Sequence, residues 1–102
     1  MTLVWLRRAI AERTAQLEYI ASQNRFAAKT QATEILHQVA QLVGDPSIGG
    51  RPGRMEGTRE LVISRTPFIV VYRVKGRRIR RIEIVRFLHG SQEWPLGVET
   101  QK

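Results

Sequence analysis

Apolar positions along this chain follow a helical spacing in the first half and a strand spacing in the second. Leu3 to Leu6 is a short apolar run ahead of Arg7 and Arg8, which suits a brief strand or extended lead-in with Trp5 as a core anchor. From Ala9 to Ala21, the residues Ile10, Leu17, Ile20 and Ala21 recur near helical spacing, with Arg13 and Thr14 interrupting the stripe. This predicts a first helix of weak amphipathicity. Asn24 is placed to cap a second helix by accepting a hydrogen bond from its first turn. Ala28, Ala32, Ile35, Val39 and Leu42 then step by four, three, four and three residues, a single helical face that Phe26, Leu36 and Val43 are expected to widen. Gly44 and Asp45-Pro46 should stop this helix. The two helices, joined across Ser22 to Asn24, are expected to form an antiparallel hairpin.

From Gly44 to Gly57 there is no apolar period, and Gly49-Gly50, Pro52-Gly53 and Gly57 give the stretch a loop composition. Three strand-like runs follow: Thr58 to Ser64, Phe68 to Lys75 and Arg78 to His89. The linkers Arg65-Thr66-Pro67 and Lys75-Gly76-Arg77 are short enough to make consecutive antiparallel hairpins. Phe68 to Tyr72 is apolar on both alternating faces, as expected of a central strand covered by helices on one side and partly covered on the other. In the last run, strict alternation puts Arg80, Ile82, Ile84, Arg86 and Leu88 on one face and Ile79, Arg81, Glu83, Val85, Phe87 and His89 on the other. Both faces mix charge with apolar residues, so alternation alone does not assign inside and outside. The reading is an α+β fold: a helical hairpin over about 8–43 packed on a small, mainly antiparallel sheet over about 58–90, with a short N-terminal strand.

Length and composition bound what such a fold could do. The 102 residues suffice for one core and not for two, so a single domain over 1–102 is expected. With no cysteine, neither disulfides nor thiolate metal sites are available, and no metal or cofactor is expected. Charge interrupts the opening apolar residues at once, which argues against a cleaved signal peptide. The apolar run Phe68 to Tyr72 is far short of the roughly 20 residues of a membrane span. A cytoplasmic protein with no membrane partner is expected. The formal net charge of +8 and pI near 11.3 predict attraction to something acidic, weakened by salt, whether nucleic acid, an acidic protein or an anionic membrane surface, and charge alone does not choose among them.

Local sequences narrow the reading. Gly50-Arg51-Pro52-Gly53-Arg54, Gly57 to Ile63, Phe68 to Val74 and Leu88-His89-Gly90 followed by Trp94-Pro95 together resemble the ParE-like branch of the RelE/ParE toxin superfamily. Trp5, Ala9, Leu17, Ile20 and Ala27-Ala28 agree in the N-terminal half. The resemblance implies the toxin of a type II toxin-antitoxin system, of the kind associated with plasmid stabilisation. Its partner would be a cognate acidic antitoxin, ParD-like, in which a segment disordered when free is attached to a DNA-binding dimer. An acidic chain folding onto a +8 surface gains Coulomb attraction while losing conformational entropy.

The two branches of this superfamily imply different chemistry. The RelE-like branch cleaves messenger RNA on the ribosome, and attack by a 2′-hydroxyl needs a base, an acid and positive charge for the phosphorane. Aligned on Val71-Tyr72, that branch's nuclease lysines fall at Glu60 and Val62, and its central-strand arginine falls at Ile69. The tail Pro95 to Lys102 has neither tyrosine nor histidine to complete a catalytic set. A different set is conceivable, with His89 as base or acid and Arg59, Arg65 or Arg86 as phosphate clamps. The ParE-like branch is associated instead with poisoning DNA gyrase, which needs no catalytic centre in the toxin. On that reading Arg59, Arg65, Arg73, Arg77, Arg78, Arg80, Arg81, Arg86 and Trp94 are candidate contacts to antitoxin or target. A third reading is a nucleic-acid-binding module whose basic sheet grips phosphate. Each residue also has a plainer role: His89 tying a neighbouring loop, Trp94-Pro95 plugging the sheet edge, Arg59 pairing with Glu60 at the surface, and Arg77-Arg78 and Arg80-Arg81 forming only a solvated hairpin, although the few acids available to neutralise these arginines favour a contact to antitoxin or target.

Overall fold

A computed structural model describes residues 1–47 and 50–94. Asn24 divides its helical half. The Asn24 amide closes α1 (Arg7–Gln23) on the Ile20 carbonyl, and its side-chain oxygen accepts the Ala27 amide at 3.0 Å to open α2 (Arg25–Ala40). Such a cap is worth about 1 kcal/mol. Arg13, the interruption in the first apolar stripe, lays its guanidinium 4.4 Å from the centre of the Trp5 ring, so a cation covers the face where another apolar residue was expected.

The face of α2 that enters the core is narrower than its apolar residues suggest. Ala28, Ile35, Val39 and, just beyond, Leu42 are buried, whereas Phe26 is 84% exposed and Leu36 and Val43 also face solvent. At about 100° per residue, Phe26 points roughly 160° away from Ala28, with Leu36 and Val43 about 80° and 60° off. These three therefore do not widen the buried face. After a short 3-10 turn at Gln41–Val43, Gly44 keeps an ordinary right-handed φ of −74°. No left-handed glycine cap is formed, and Pro46, which lacks an N–H, is what prevents the helix from continuing.

Five strands make one sheet: β1 (Thr2–Trp5), β2 (Gly50–Pro52), β3 (Arg59–Val62), β4 (Phe68–Lys75) and β5 (Arg81–His89), in the order β1-β5-β4-β3-β2. All neighbours are antiparallel except β1, which lies parallel to β5 with Thr2 opposite Arg81 and Trp5 opposite Ile84. The expected α+β architecture is present, with two departures. The loop before β3 contains β2, so the β half starts at Gly50 rather than near residue 58. The last strand starts at Arg81 rather than Arg78, so Gly76 to Arg80 is the turn.

β5 also breaks alternation. Val71 pairs with Arg86 while Tyr72 pairs with Ile84, leaving Val85 as an extra residue in a β-bulge. The bulge shifts the phase by one residue, so Ile82 and Ile84 share the helix-covered face with Phe87, and Arg81 and Glu83 share the opposite face with Arg86 and Leu88. This is why neither alternating set was purely apolar. The core between helices and sheet joins Ala9, Ile35, Val39 and Leu42 to Leu61, Ile63, Phe68, Val70, Tyr72, Ile82, Ile84 and Phe87. The Phe68 and Phe87 rings meet at 4.9 Å. In β4, Ile69 and Val71 are buried on the other face as well, as expected of the central strand.

Candidate functional site

The face of the sheet turned away from the helices carries Arg51, Arg54, Arg73, Arg81 and Arg86, and carboxylates organise them. Glu60 on β3 is 1% exposed. It accepts from Arg51 at 3.2 Å and from Arg54 at 3.0 and 3.1 Å, and the Arg54 backbone amide adds a bond at 3.0 Å. Burial pushes its carboxyl up, but the Arg54 and Arg51 hydrogen bonds outweigh that and hold it below the usual carboxylate range. Glu60 therefore reinforces the short pairing of β2 with β3 and ties the loop residue Arg54 onto β3. Glu83 on β5 bridges Arg73 and Arg81, each at 2.7 Å, and these hydrogen bonds, Arg73's first, likewise hold it below the usual range.

A third cluster joins sheet to helix. Glu12 of α1 reaches β5 beyond the end of β1, accepts the Phe87 amide at 2.9 Å, and grips the Arg86 guanidinium through Nε and Nη2, the latter at 2.6 Å. The Trp94 indole lies 4.7 Å over the same guanidinium. Arg86 is thus buried between a carboxylate and an aromatic ring. Arg65 sits in the β3–β4 turn with a φ of +67°, paired to Glu34 of α2 at 2.7 Å. The hydrogen bond from Arg65, with a second from Gln38, lowers the Glu34 carboxyl from its ordinary value.

The arginine neighbouring Glu60 in sequence does not pair with it. Arg59 points to the helix-covered face and donates to the Gly50 carbonyl at 2.8 Å, near Tyr72, whose hydroxyl donates to the Pro46 carbonyl. The expected surface pair between Arg59 and Glu60 is replaced by the clasp of the exposed Arg51 and Arg54 on the buried Glu60 carboxylate, because adjacent residues on a strand face opposite sides. Arg51, Arg54 and the carboxylates Glu12, Glu34 and Glu83 were not among the sequence candidates; the alternation of Arg51 with Glu60 becomes informative only once β2 is known to pair with β3. The expectation of unneutralised arginines also needs correction at Arg81, which Glu83 neutralises. Arg77, Arg78 and Arg80 lie exposed in the β4–β5 turn with no side-chain partner among the described residues.

The alternative catalytic set is not gathered in one place. Arg59 pairs with Tyr72 near one end of the sheet and His89 with Phe68 near the other, four residues along the strand and two strands apart. Their backbones are thus roughly 16 Å apart. Arg65 and Arg86 are committed to Glu34 and Glu12. His89 Nδ1 accepts the Ser91 amide at 3.1 Å and lies 2.8 Å from the Ser91 hydroxyl. The three positions where nuclease charge would be expected do come together: Val62 pairs with Ile69 and Glu60 with Val71, so Glu60, Val62 and Ile69 share the helix-free face. There they present a sequestered carboxylate and two aliphatic side chains. The tail from Pro95 onward and Gly49 lie outside the described residues.

Residues 3–94 match the family model described as ParE toxin of type II toxin-antitoxin system, parDE. The chain is 35% identical over 91 residues to "Putative toxin Y4kP" of Sinorhizobium fredii, spanning 89% of this chain and 90% of that protein. Among solved structures it is similar to a chain of the chromosomal ParDE TA system from P. aeruginosa, with a TM-score of 0.77, 32% identity, and coverage of 87% of this chain and 95% of that one. The YoeB/ParE toxin from Agrobacterium tumefaciens shares the fold, with a TM-score of 0.60 at 21% identity over 87% of this chain and 98% of that one.

Proposed function

The chain belongs to the ParE toxin family of type II toxin-antitoxin systems, and on that premise we propose that it stops growth by binding and poisoning DNA gyrase, without a catalytic centre of its own. The observation that carries this reading is the joint placement of Glu60, Val62 and Ile69 on one face of the sheet. Cleavage of a phosphodiester needs positive charge there for the phosphorane. This face offers a carboxylate already held by two arginines, and aliphatic neighbours. The dispersal of Arg59, Arg65, Arg86 and His89 into separate structural contacts supports the same reading.

Neutralisation would come from a ParD-like antitoxin supplying an acidic segment to this basic chain. The resulting heteromer would be cytoplasmic and tightened by low salt. Among the described residues no helix is long and apolar enough to cross a membrane. The deciding experiment puts purified toxin into two assays side by side: supercoiling by gyrase, and messenger cleavage by translating ribosomes. Loss of supercoiling at stoichiometric toxin, relieved by the antitoxin, is expected. Cut messenger with supercoiling untouched would replace this reading by the endoribonuclease one.

A further inference from the structure

The β4–β5 turn has a composition that neither the core nor the ion-pair clusters use. Lys75 to Arg81 are all exposed, and within them Ile79 is 88% exposed. Gly76, with a φ of +92°, lets the turn close so tightly that a Cβ there would run into the Ile79 carbonyl. The turn is therefore short and constrained, and it holds an aliphatic side chain in water between Arg77-Arg78 and Arg80-Arg81. Glu83, the carboxylate on the adjoining strand, is occupied by Arg73 and Arg81. Arg77, Arg78 and Arg80 remain without a counter-charge among the described residues.

We propose that this turn is a contact to duplex DNA, in which Arg77, Arg78 and Arg80 hold phosphates on either side of a groove and Ile79 is the wedge that enters it at a deformable base step. The contact is independent of gyrase and is tested without it. Guanidinium forks match phosphate oxygens, and arginine favours a narrow minor groove. Aliphatic side chains are the wedges that partly unstack and kink a duplex from that side. An acidic protein fits less well, because interface cores are built from clustered aromatic and aliphatic residues with charge excluded, whereas here a lone isoleucine stands among cations. A lipid surface fits less well too, since a single aliphatic side chain is too small an anchor to hold a protein on a bilayer.

The test is fluorescence anisotropy of the full-length protein with a labelled duplex of about 20 base pairs containing TA steps, over a range of salt, with end-to-end energy transfer reporting the bend. All substituted side chains are exposed, so the fold is retained. Replacing Arg77, Arg78 and Arg80 together by alanine is expected to lower the slope of log affinity against log salt by about 0.9 for each phosphate that is no longer neutralised. Replacing Arg7, Arg25 and Lys29, which removes equal charge from the helices, is expected to leave most of that slope in place. Ile79→Ser is expected to bind about tenfold more weakly with the salt slope unchanged and the bend abolished. Equal effects from the two triple variants would overturn the proposal, because binding would then follow net charge alone. So would an Ile79→Ser protein that binds and bends DNA like the parent, or a turn that prefers acidic peptide or anionic vesicles to the duplex.

Discussion

Glu60 follows Arg59 in the chain, yet it is served by Arg51 and Arg54 from the preceding strand and loop. A carboxylate this buried is tolerated because four hydrogen bonds and two guanidinium groups replace its water. Glu60→Gln keeps the shape but removes the charge, and two of those donors would then face an amide that can itself donate. The expected loss is about 2 kcal/mol, read from the urea midpoint with the slope of the transition unchanged, while Glu18→Gln on exposed α1 surface should shift it little. An equal response from both variants would mean that the clasp contributes nothing. Nothing in the local sequence distinguishes Glu60 from a solvent-exposed glutamate. Its role depends on a register that brings Arg51 opposite it, and that register is a property of the pair β2 and β3.

At the scale of elements, the β3–β4 turn carries two opposing effects at one residue. Arg65 adopts a left-handed φ of +67°, a conformation that costs a side-chain-bearing residue about 1 kcal/mol, and it also makes the ion pair to Glu34. Arg65→Ala loses the pair and keeps the strain, whereas Arg65→Gly loses the pair and relieves it. Glycine is therefore expected to be the more stable of the two by roughly 0.5–1 kcal/mol, against the usual order in which alanine wins. Thermal melts of the two variants decide it, and the ordinary order would show that the turn is unstrained. The helices were the most legible elements, because Asn24 and the spacing of Ala28, Ile35, Val39 and Leu42 encode them locally. β2 was not legible. It has three residues and no apolar alternation, and side-chain bonds to Glu60 and from Arg59 to Gly50 hold it to the sheet.

At the scale of the whole molecule, three glutamates among the described residues respond to acid together, beside Asp45, which its hydrogen bonds from Ser47 hold low. Glu34, Glu60 and Glu83 are all held below their ordinary range in the fold, by Arg65, by Arg54 with Arg51 against the effect of burial, and by Arg73 with Arg81. In the unfolded chain they regain ordinary values of about 4.3, so the unfolded state takes up protons first as the pH falls. Their contribution is thus complete above that range and is lost as the pH drops through the depressed folded values. The urea midpoint should stay level from pH 7 to about pH 5 and fall below it; a midpoint that rose on acidification would contradict the clusters. The sequence by itself determined the helical hairpin, the antiparallel meander, the basic surface and the family, because capping, periodicity, charge and local motifs are carried by residues close together in the chain. The tertiary structure alone decided which arginines are occupied, which face Ile82 and Arg86 take, and that Glu60, Val62 and Ile69 lie side by side. Those outcomes depend on strand register and on the single extra residue at Val85, which no local pattern encodes because register is fixed by the partner strand and by the core that both strands must fill.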